Sequence, residues 1–228
     1  MFHSAGLYGR DHTTLGEYEV VEVTPNLAIG ISMGRFPKAY PSTDPNEDAV
    51  MAATDGEITI MAVADGHFGH DASHRVIEAI EGSLSSLANE PEAALDALLA
   101  TAESAVANVS RARTALTVCV VGETGLAIGT YGDTGYRLGT KRRSPVVRGE
   151  TGFLGEPDAV PARIQRDLSV LASMTVATDG LHDFFSIERL AVSRDGAASA
   201  ALQLIDGAFE GGAGDNIAFA LHRVVGVG

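Results

Sequence analysis

Four short acidic stretches of this chain border apolar runs. They are Asn46-Glu47-Asp48 before Ala49-Val50-Met51, Asp65-Gly66-His67 after Ile60 to Ala64, Thr178-Asp179-Gly180 after Met174 to Ala177, and Gly214-Asp215-Asn216 before Ile217 to Leu221. Each apolar run reads as a buried strand. A carboxylate at the end of such a strand is held where water is scarce, and is costly there unless something neutralises it. A cation is the economical partner, so the four strand ends are expected to meet around metal ions. Hard oxygen donors, with no cysteine and few histidines among them, suit magnesium or manganese better than zinc. Two such ions roughly 3.5–4 Å apart lower the pKa of a bridging water and hold the oxygens of a phosphate ester, so ester hydrolysis is the chemistry this set could do.

The elements that must position these residues follow from periodicity. Strands are expected over Glu17–Val23, Leu27–Met33, Ala49–Ala53 and Glu57–Ala64, the last two joined by an Asp55-Gly56 hairpin turn. Val76, Ile77, Ile80, Leu84 and Leu87 recur at helical spacing, which predicts a helix from about Asp71, its N-cap, to Ala88. A second helix starts near Pro91 and buries Leu95, Leu98, Leu99, Ala102, Val106 and Val109. Strands follow over Thr114–Val121 and Leu126–Tyr131, with a tight turn at Gly132-Asp133-Thr134-Gly135 out of which Tyr136–Thr140 leads. Residues 1–16 read as a poorly ordered start or short edge piece, Arg35–Pro45 as a proline-rich loop, and 151–168 as irregular. Ser173–Ala177 is a strand, Phe184–Ala191 and Ala197–Phe209 are helical, and Ile217–Val225 is a closing strand. Strands come in hairpin-joined runs and helices in pairs, without strict alternation. That excludes a doubly wound parallel sheet and predicts an α+β, four-layer α/β/β/α sandwich: two mainly antiparallel sheets flanked by helix pairs, as a single domain over 1–228.

Composition narrows the function classes. A length of 228 residues with 45% hydrophobic and 20% charged residues is that of a folded globular chain. A formal net charge of -14 argues against general nucleic-acid binding, which needs a basic face. No window approaches the roughly 20 apolar residues of a membrane span, and no signal-peptide core opens the chain, so a cytoplasmic location without membrane partners is expected. Cys119, inside an apolar strand with no activating neighbour, reads as a buried core thiol.

Taken in order, Asn46-Glu47-Asp48-Ala49, Val63-Ala64-Asp65-Gly66-His67, Thr178-Asp179-Gly180-Leu181-His182-Asp183 and Gly214-Asp215-Asn216-Ile217 resemble the metal-dependent Ser/Thr protein phosphatases of the phosphatase 2C family, in its bacterial single-domain form. Thr114-Ala115 and Tyr131-Gly132-Asp133-Thr134 match two weaker motifs, and the resemblance spans about residues 28 to 225. It implies hydrolysis of phosphoserine and phosphothreonine in proteins phosphorylated by a Ser/Thr kinase, with two or three magnesium or manganese ions. Asp65 would bridge the two ions, Asp179 and Asp215 would complete one, and Glu47 and the Gly66 carbonyl would serve the other. Asp133 and Asp183 match carboxylates that hold a third ion in some members. Asp48 and Asn216 would orient ligands or waters, and His67 would protonate the leaving alkoxide.

The departures from the pattern matter as much. Thr43 stands where the family often has a phosphate-binding arginine, and Arg35 or Lys38 of the proline-rich loop is the candidate substitute. Phe68 stands where a second glycine is usual, and Gly135 where an arginine is. Two other functions stay open: a catalytically weak metal-binding regulator that recognises a phosphoprotein, and a phosphatase of small phosphoesters. His3, His12 and His222 read as surface residues, His70 and His74 as solvated, and His182 as packing or rim. Asp44, Asp55 and Asp195 fit turns, and Lys141-Arg142-Arg143 with Arg148 reads as a solvated basic turn or a docking patch.

Overall fold

The computed structural model describes residues 1–40, 42–107, 113–123, 125–140, 147–148, 151–167, 171–186 and 196–223. The strands are β1 (His3–Tyr8), β2 (Tyr18–Thr24), β3 (Leu27–Ser32), β4 (Asp48–Thr54), β5 (Thr59–His67), β6 (Arg113–Val121), β7 (Gly125–Tyr131), β8 (Gly135–Thr140), β9 (Val147–Arg148), β10 (Ala162–Asp167), β11 (Leu171–Ala177) and β12 (Ile217–Arg223). The α-helices are α1 (Asp71–Ser83), α2 (Pro91–Val106), the four-residue α3 (Asp179–His182) and α4 (Ala197–Glu210). One six-stranded sheet runs β1-β4-β5-β6-β7-β10 and the other β2-β3-β12-β11-β8-β9. Every pairing among the described residues is antiparallel.

The alternation of side chains along β5 shows how the layers stack. Ile60, Ala62 and Ala64 face α1 and α2, in a core with Val76, Ile80, Leu95 and Leu98. Met61 and Val63 face the other way, into a core shared with Ile29, Ile31, Val176 and Ala218 of the second sheet. A strand covered on both faces reads as a continuous apolar run rather than an alternating one. A third core lies beyond the second sheet, where Ala28 and Phe219 meet Ala201, Leu204 and Ile205 of α4. The result is the four-layer sandwich expected. On its outer side the second sheet carries α4 and the short α3 among the described residues, rather than two full helices.

Several local expectations are decided or corrected. Of the two readings of residues 1–16, the short edge piece holds for residues 3–8: β1 lies at the edge of the first sheet and pairs residue by residue with β4, from His3 opposite Thr54 to Tyr8 opposite Ala49. Residues 162–167, read as irregular, form β10 on the edge of the first sheet against β7. Arg163 and Gln165 are exposed there and Ile164 is half-buried, as on an edge strand. Asp71 is the first residue of α1 rather than its cap; His70 precedes it and makes no side-chain capping bond. Residues 184–186 are not helical, and 187–191 of the expected helix lie outside the described residues, as do Val109, Lys141, Arg142, Arg143 and Asp195. Cys119 is buried between the sheets, where burial pushes its thiol up to about 12.

Candidate active site

Strand pairing alone brings the acidic tips to one end of the sandwich. β4 begins at Asp48 and the antiparallel β5 reaches Asp65 directly opposite it. β11 ends at Ala177, paired with Phe219 near the start of β12, so Asp179 and Asp215 leave the second sheet at the same end. Asp48 and Asp65 share the faces of Val50 and Val63, so both aim into the end of the core between the sheets. Like charges directly opposite on paired strands repel.

The electrostatics record this crowding. Asp48 is buried, and burial pushes its carboxyl well above the usual carboxylate range, against the pull of Lys38 and of the Thr178 hydroxyl. Asp65 is pushed well up too, by burial and then by the charges of Asp48, Asp179, Asp133 and Asp215. Asp179 is pushed up to about 7 by burial, Asp215, Asp133 and Asp183. These carboxylates therefore feel one another across one end of the sandwich. One ligand atom each of Asp65, His67 and Asp133 lies within 4.8 Å of the others. The buried Nε2 of His67 and Oδ1 of Asp133 have no hydrogen-bond partner among the described residues.

Around this centre the backbone is fixed by short-range packing. Glu47 Oε1 accepts the Gly69 N–H at 2.9 Å, and the Glu47 N–H donates to Asn216 Oδ1 at 3.0 Å. The Asn216 amide in turn donates to the Pro45 carbonyl at 3.0 Å, tying the start of β12 to the approach of β4. Thr178 donates its hydroxyl to Asp48 Oδ2 at 2.8 Å. Thr114 donates to the Asp65 carbonyl at 2.7 Å. Gly66 has no room for a side chain: a Cβ would come within 2.7 Å of the Gly69 carbonyl, 2.8 Å of the Glu47 carbonyl and 2.9 Å of Ser73 Oγ.

The proline-rich loop closes the centre from outside. Arg35 and Phe36 donate their N–H groups to the Ala213 carbonyl at 2.8 and 3.0 Å, which anchors the base of the loop. Arg35 turns its guanidinium to the Phe209 carbonyl at the end of α4, at 3.4 Å. Lys38 goes inward instead. Its Nζ lies 3.3 Å from both Glu47 Oε2 and Asp215 Oδ1, and its side chain is 7% exposed. Burial alone would lower the Lys38 ammonium, but Asp48, Asp215, Glu47 and Asp65 together hold it above its ordinary value. Tyr40 donates its hydroxyl to Asp215 Oδ2 at 2.6 Å, and burial together with that bond pushes the phenol up.

Other surroundings differ from expectation. His74 is buried, not solvated, and its Nε2 meets the Asp48 carbonyl at 3.2 Å. Burial lowers it to about 4. His222, read as a surface residue, is largely enclosed, and burial lowers it to about 4 as well. His70 is half-buried, with Nδ1 2.8 Å from Asp44. Phe153, from the segment read as irregular, packs on His67 with ring centroids 4.2 Å apart. Tyr40 and Phe153 carried no signal in the sequence, because an aromatic in a loop has no periodicity to place it. Thr178 lay beside a quoted carboxylate but was given no role.

Oxygen donors with one imidazole, gathered at the end of a core and served by a single lysine among the described residues, fit hard divalent cations. Lys38 lowers the Asp48 carboxyl against its burial, while the Asp65 and Asp179 carboxyls are pushed up chiefly by burial and by neighbouring carboxylates.

No family model and no curated protein matches the sequence. Solved structures do match. A bacterial serine phosphatase superposes with a TM-score of 0.72 at 17% identity, over 93% of this chain and 99% of that one. Stp1, a serine/threonine phosphatase from Staphylococcus aureus, gives 0.69 at 16% identity over 94% and 97%. The catalytic domain of the serine/threonine protein phosphatase PstP, solved in complex with 2 manganese ions, gives 0.67 at 21% identity over 92% and 100%. At these identities the likeness is one of fold, and the fold of this chain is that of the bacterial PPM-type serine/threonine phosphatases.

Proposed function

We propose that this chain is a magnesium- or manganese-dependent phosphatase that hydrolyses phosphoserine and phosphothreonine in proteins. The observation that carries the reading is the crowding of Asp48, Asp133, Asp179 and Asp215 about Asp65, with ligand atoms of Asp65, His67 and Asp133 within 4.8 Å of one another and the charges around them, after burial, pushing the carboxyls of Asp65 and Asp179 up. A fold that accepts such repulsion has a use for the cations that relieve it. The fold-level likeness to phosphatases, one of them solved with manganese, supports the same choice.

In this reading Asp65, Asp179, Asp215, Glu47 and the Gly66 carbonyl hold the ions, and Asp133 with Asp183 holds a third. Bound divalent cations supply neutralisation of the phosphoryl charge and acidification of water. The protein's part is orientation. Thr178 and Asn216 lock Asp48 and Glu47 in place. Phe153 holds the His67 ring, whose Nε2 has no hydrogen-bond partner among the described residues and can carry the proton that the departing serine or threonine oxygen needs. The substrates are then products of Ser/Thr kinases. No described helix is long and apolar enough to cross a membrane. Turnover of a phosphothreonine peptide should require manganese, stop with chelator, and fall by at least about a hundredfold in Asp179→Asn. Undiminished turnover in chelator would overturn the reading.

A second reading, a weak metal-binding regulator that recognises a phosphoprotein, is favoured by one observation. Thr43 is uncharged and Arg35 is engaged at Phe209, so no arginine of this loop is aimed at the centre. Phosphopeptide binding with manganese but no phosphate release, in a single-turnover assay, would select it.

A further inference from the structure

We propose that Lys38 is a tethered competitor of the divalent cations: it occupies the metal-facing oxygens of Glu47 and Asp215 when no ion is bound, and must leave before both can coordinate one. This rests on the reading of Glu47 and Asp215 as metal ligands. The argument is one of lone pairs and tethers. Glu47 Oε1 is already committed to the Gly69 N–H, and to the Asp44 N–H at 3.4 Å, which leaves Oε2 as its free oxygen. Lys38 Nζ sits on that oxygen. Asp215 Oδ1 accepts the Asn216 N–H at 2.8 Å as well as Lys38, and Oδ2 accepts Tyr40. Lys38 thus spans two residues assigned to different ions, and Tyr40 closes over it with its ring 5.5 Å from Nζ.

The loop is built to hold this pair and also to release it. Its base is fixed by the two N–H bonds to Ala213, just ahead of Asp215. Its tip, Lys38 to Tyr40, is held on the centre by side chains: the two ion pairs and the Tyr40 hydroxyl bond. Tyr40 is otherwise 53% exposed. A group on a short tether competes at a high effective concentration without entering from solution. If the occupied state is about 90% populated, the apparent affinity for the ion is reduced about tenfold. Because coupling is reciprocal, the ion must loosen the loop by the same factor.

Calorimetry with manganese alone, on the full chain freed of metal, tests this without reference to turnover. Lys38→Met should bind manganese about tenfold more tightly than the unaltered chain. Tyr40→Phe, which keeps the charge and removes only the hydroxyl, should bind it about two- to threefold more tightly, and serves as the second probe if Lys38→Met fails to fold. In the unaltered chain manganese should accelerate trypsin cleavage after Lys38 in proportion to occupancy. Manganese affinity in both variants equal to or weaker than that of the unaltered chain would overturn the proposal, as would cleavage after Lys38 that manganese slows. If the unaltered chain and both variants all bind no manganese, the metal reading and this inference fall together. If the unaltered chain binds manganese and the variants bind no tighter, only this inference falls. Tighter binding in a chain that never turns over phosphopeptide would support the inference and sink the enzymatic reading.

Discussion

The carboxylate floor of the centre and the loop above it are held by different forces. Asp48 and Asp65 stand on β4 and β5, whose pairing runs unbroken from Asp48 opposite Asp65 to Thr54 opposite Thr59. Moving either carboxylate means moving a ladder of backbone hydrogen bonds with two cores behind it. Lys38 and Tyr40 instead reach the same place from a loop and are held by charge and a single hydroxyl. The floor can therefore carry repulsion that would disperse a flexible cluster, and the loop can answer to whatever neutralises that repulsion. Rigid repulsion below and movable charge above is an arrangement suited to an ion that comes and goes.

The largest effect is expected from taking charge out of the floor while keeping its shape. Asp65→Asn should reduce manganese-dependent turnover of p-nitrophenyl phosphate by at least about a thousandfold. The same change should raise the melting temperature in chelator, by the equivalent of about 1–2 kcal/mol, because one of several facing like charges is gone. Manganese should stabilise the unaltered chain and not the variant. A fall in metal-free stability would show that Asp65 is held by favourable contacts rather than merely tolerated.

Next is a break in the backbone of the floor. A Cβ on Gly180 would overlap the Asn216 carbonyl oxygen, and the pairing of β11 with β12 leaves neither strand free to move away. Gly180→Ala should cost about 3 kcal/mol or more in urea denaturation and weaken manganese binding with it. A variant of unaltered stability would mean that the two segments shift more freely than the ladders imply.

The floor was legible in the sequence for the reason that makes it rigid. Asp65 follows Ile60 to Ala64, an apolar run bounded by a polar turn that reads as a strand covered on both faces and so places its end at the edge of the core. The layering of two antiparallel sheets between helices followed from the grouping of strands into hairpin-joined runs and of helices into pairs. What was not legible came from segments without periodicity. β1 carries His3, Gly6 and Tyr8 with no clean alternation, yet β4 needs a partner on that edge and takes it. His74 was read as solvated because it lies near a helix start, but α1 turns that face onto Asp48 and Tyr8. Tyr40 reaches Asp215 across 175 positions of sequence, a distance over which local pattern says nothing.

Acid titration separates the floor from the rest of the core by the sign of its effect. The Asp179 carboxyl is raised to about 7 in the folded chain, against an unfolded value of 3.8. Its folded form takes up a proton first, so a penalty present above pH 7 is relieved as pH falls toward 4. His222 is lowered to about 4 against 6.5. There the unfolded chain protonates first, so stability present above pH 6.5 is lost as pH falls toward 4. At about 1.4 kcal/mol per pH unit, Asp179 contributes up to about 4 kcal/mol and His222 up to about 3 kcal/mol, with opposite signs over nearly the same window. In chelator, Asp179→Asn should make the chain lose more stability between about pH 7 and about pH 4.5 than the unaltered chain does. His222→Leu should make it lose less. Denaturation midpoints at the two pH values read both, and equal slopes in all three chains would remove the distinction.

The smallest effect concerns Phe68, at the turn that joins floor to mouth. Its φ of 68° is in the left-handed region, and its side chain is exposed at 73%. The turn is dictated from both sides: Gly66 is packed against the Gly69 carbonyl, and the Gly69 N–H is bonded to Glu47. A phenylalanine held there costs about 1–2 kcal/mol, while a glycine relieves that strain and gives back about 0.5–1 kcal/mol through the freer unfolded chain. Phe68→Gly should therefore stabilise the metal-free chain by no more than about 1 kcal/mol and leave manganese affinity unchanged. Phe68→Ala keeps the strain and removes the ring, so it should be neutral to within about 0.5 kcal/mol. If alanine costs as much as glycine gains, the ring is packing on something and the exposed aromatic belongs to the structure of the floor. If alanine is neutral and both variants lose turnover on a phosphopeptide but not on p-nitrophenyl phosphate, the ring belongs to the mouth, and its strain is retained for what it touches there.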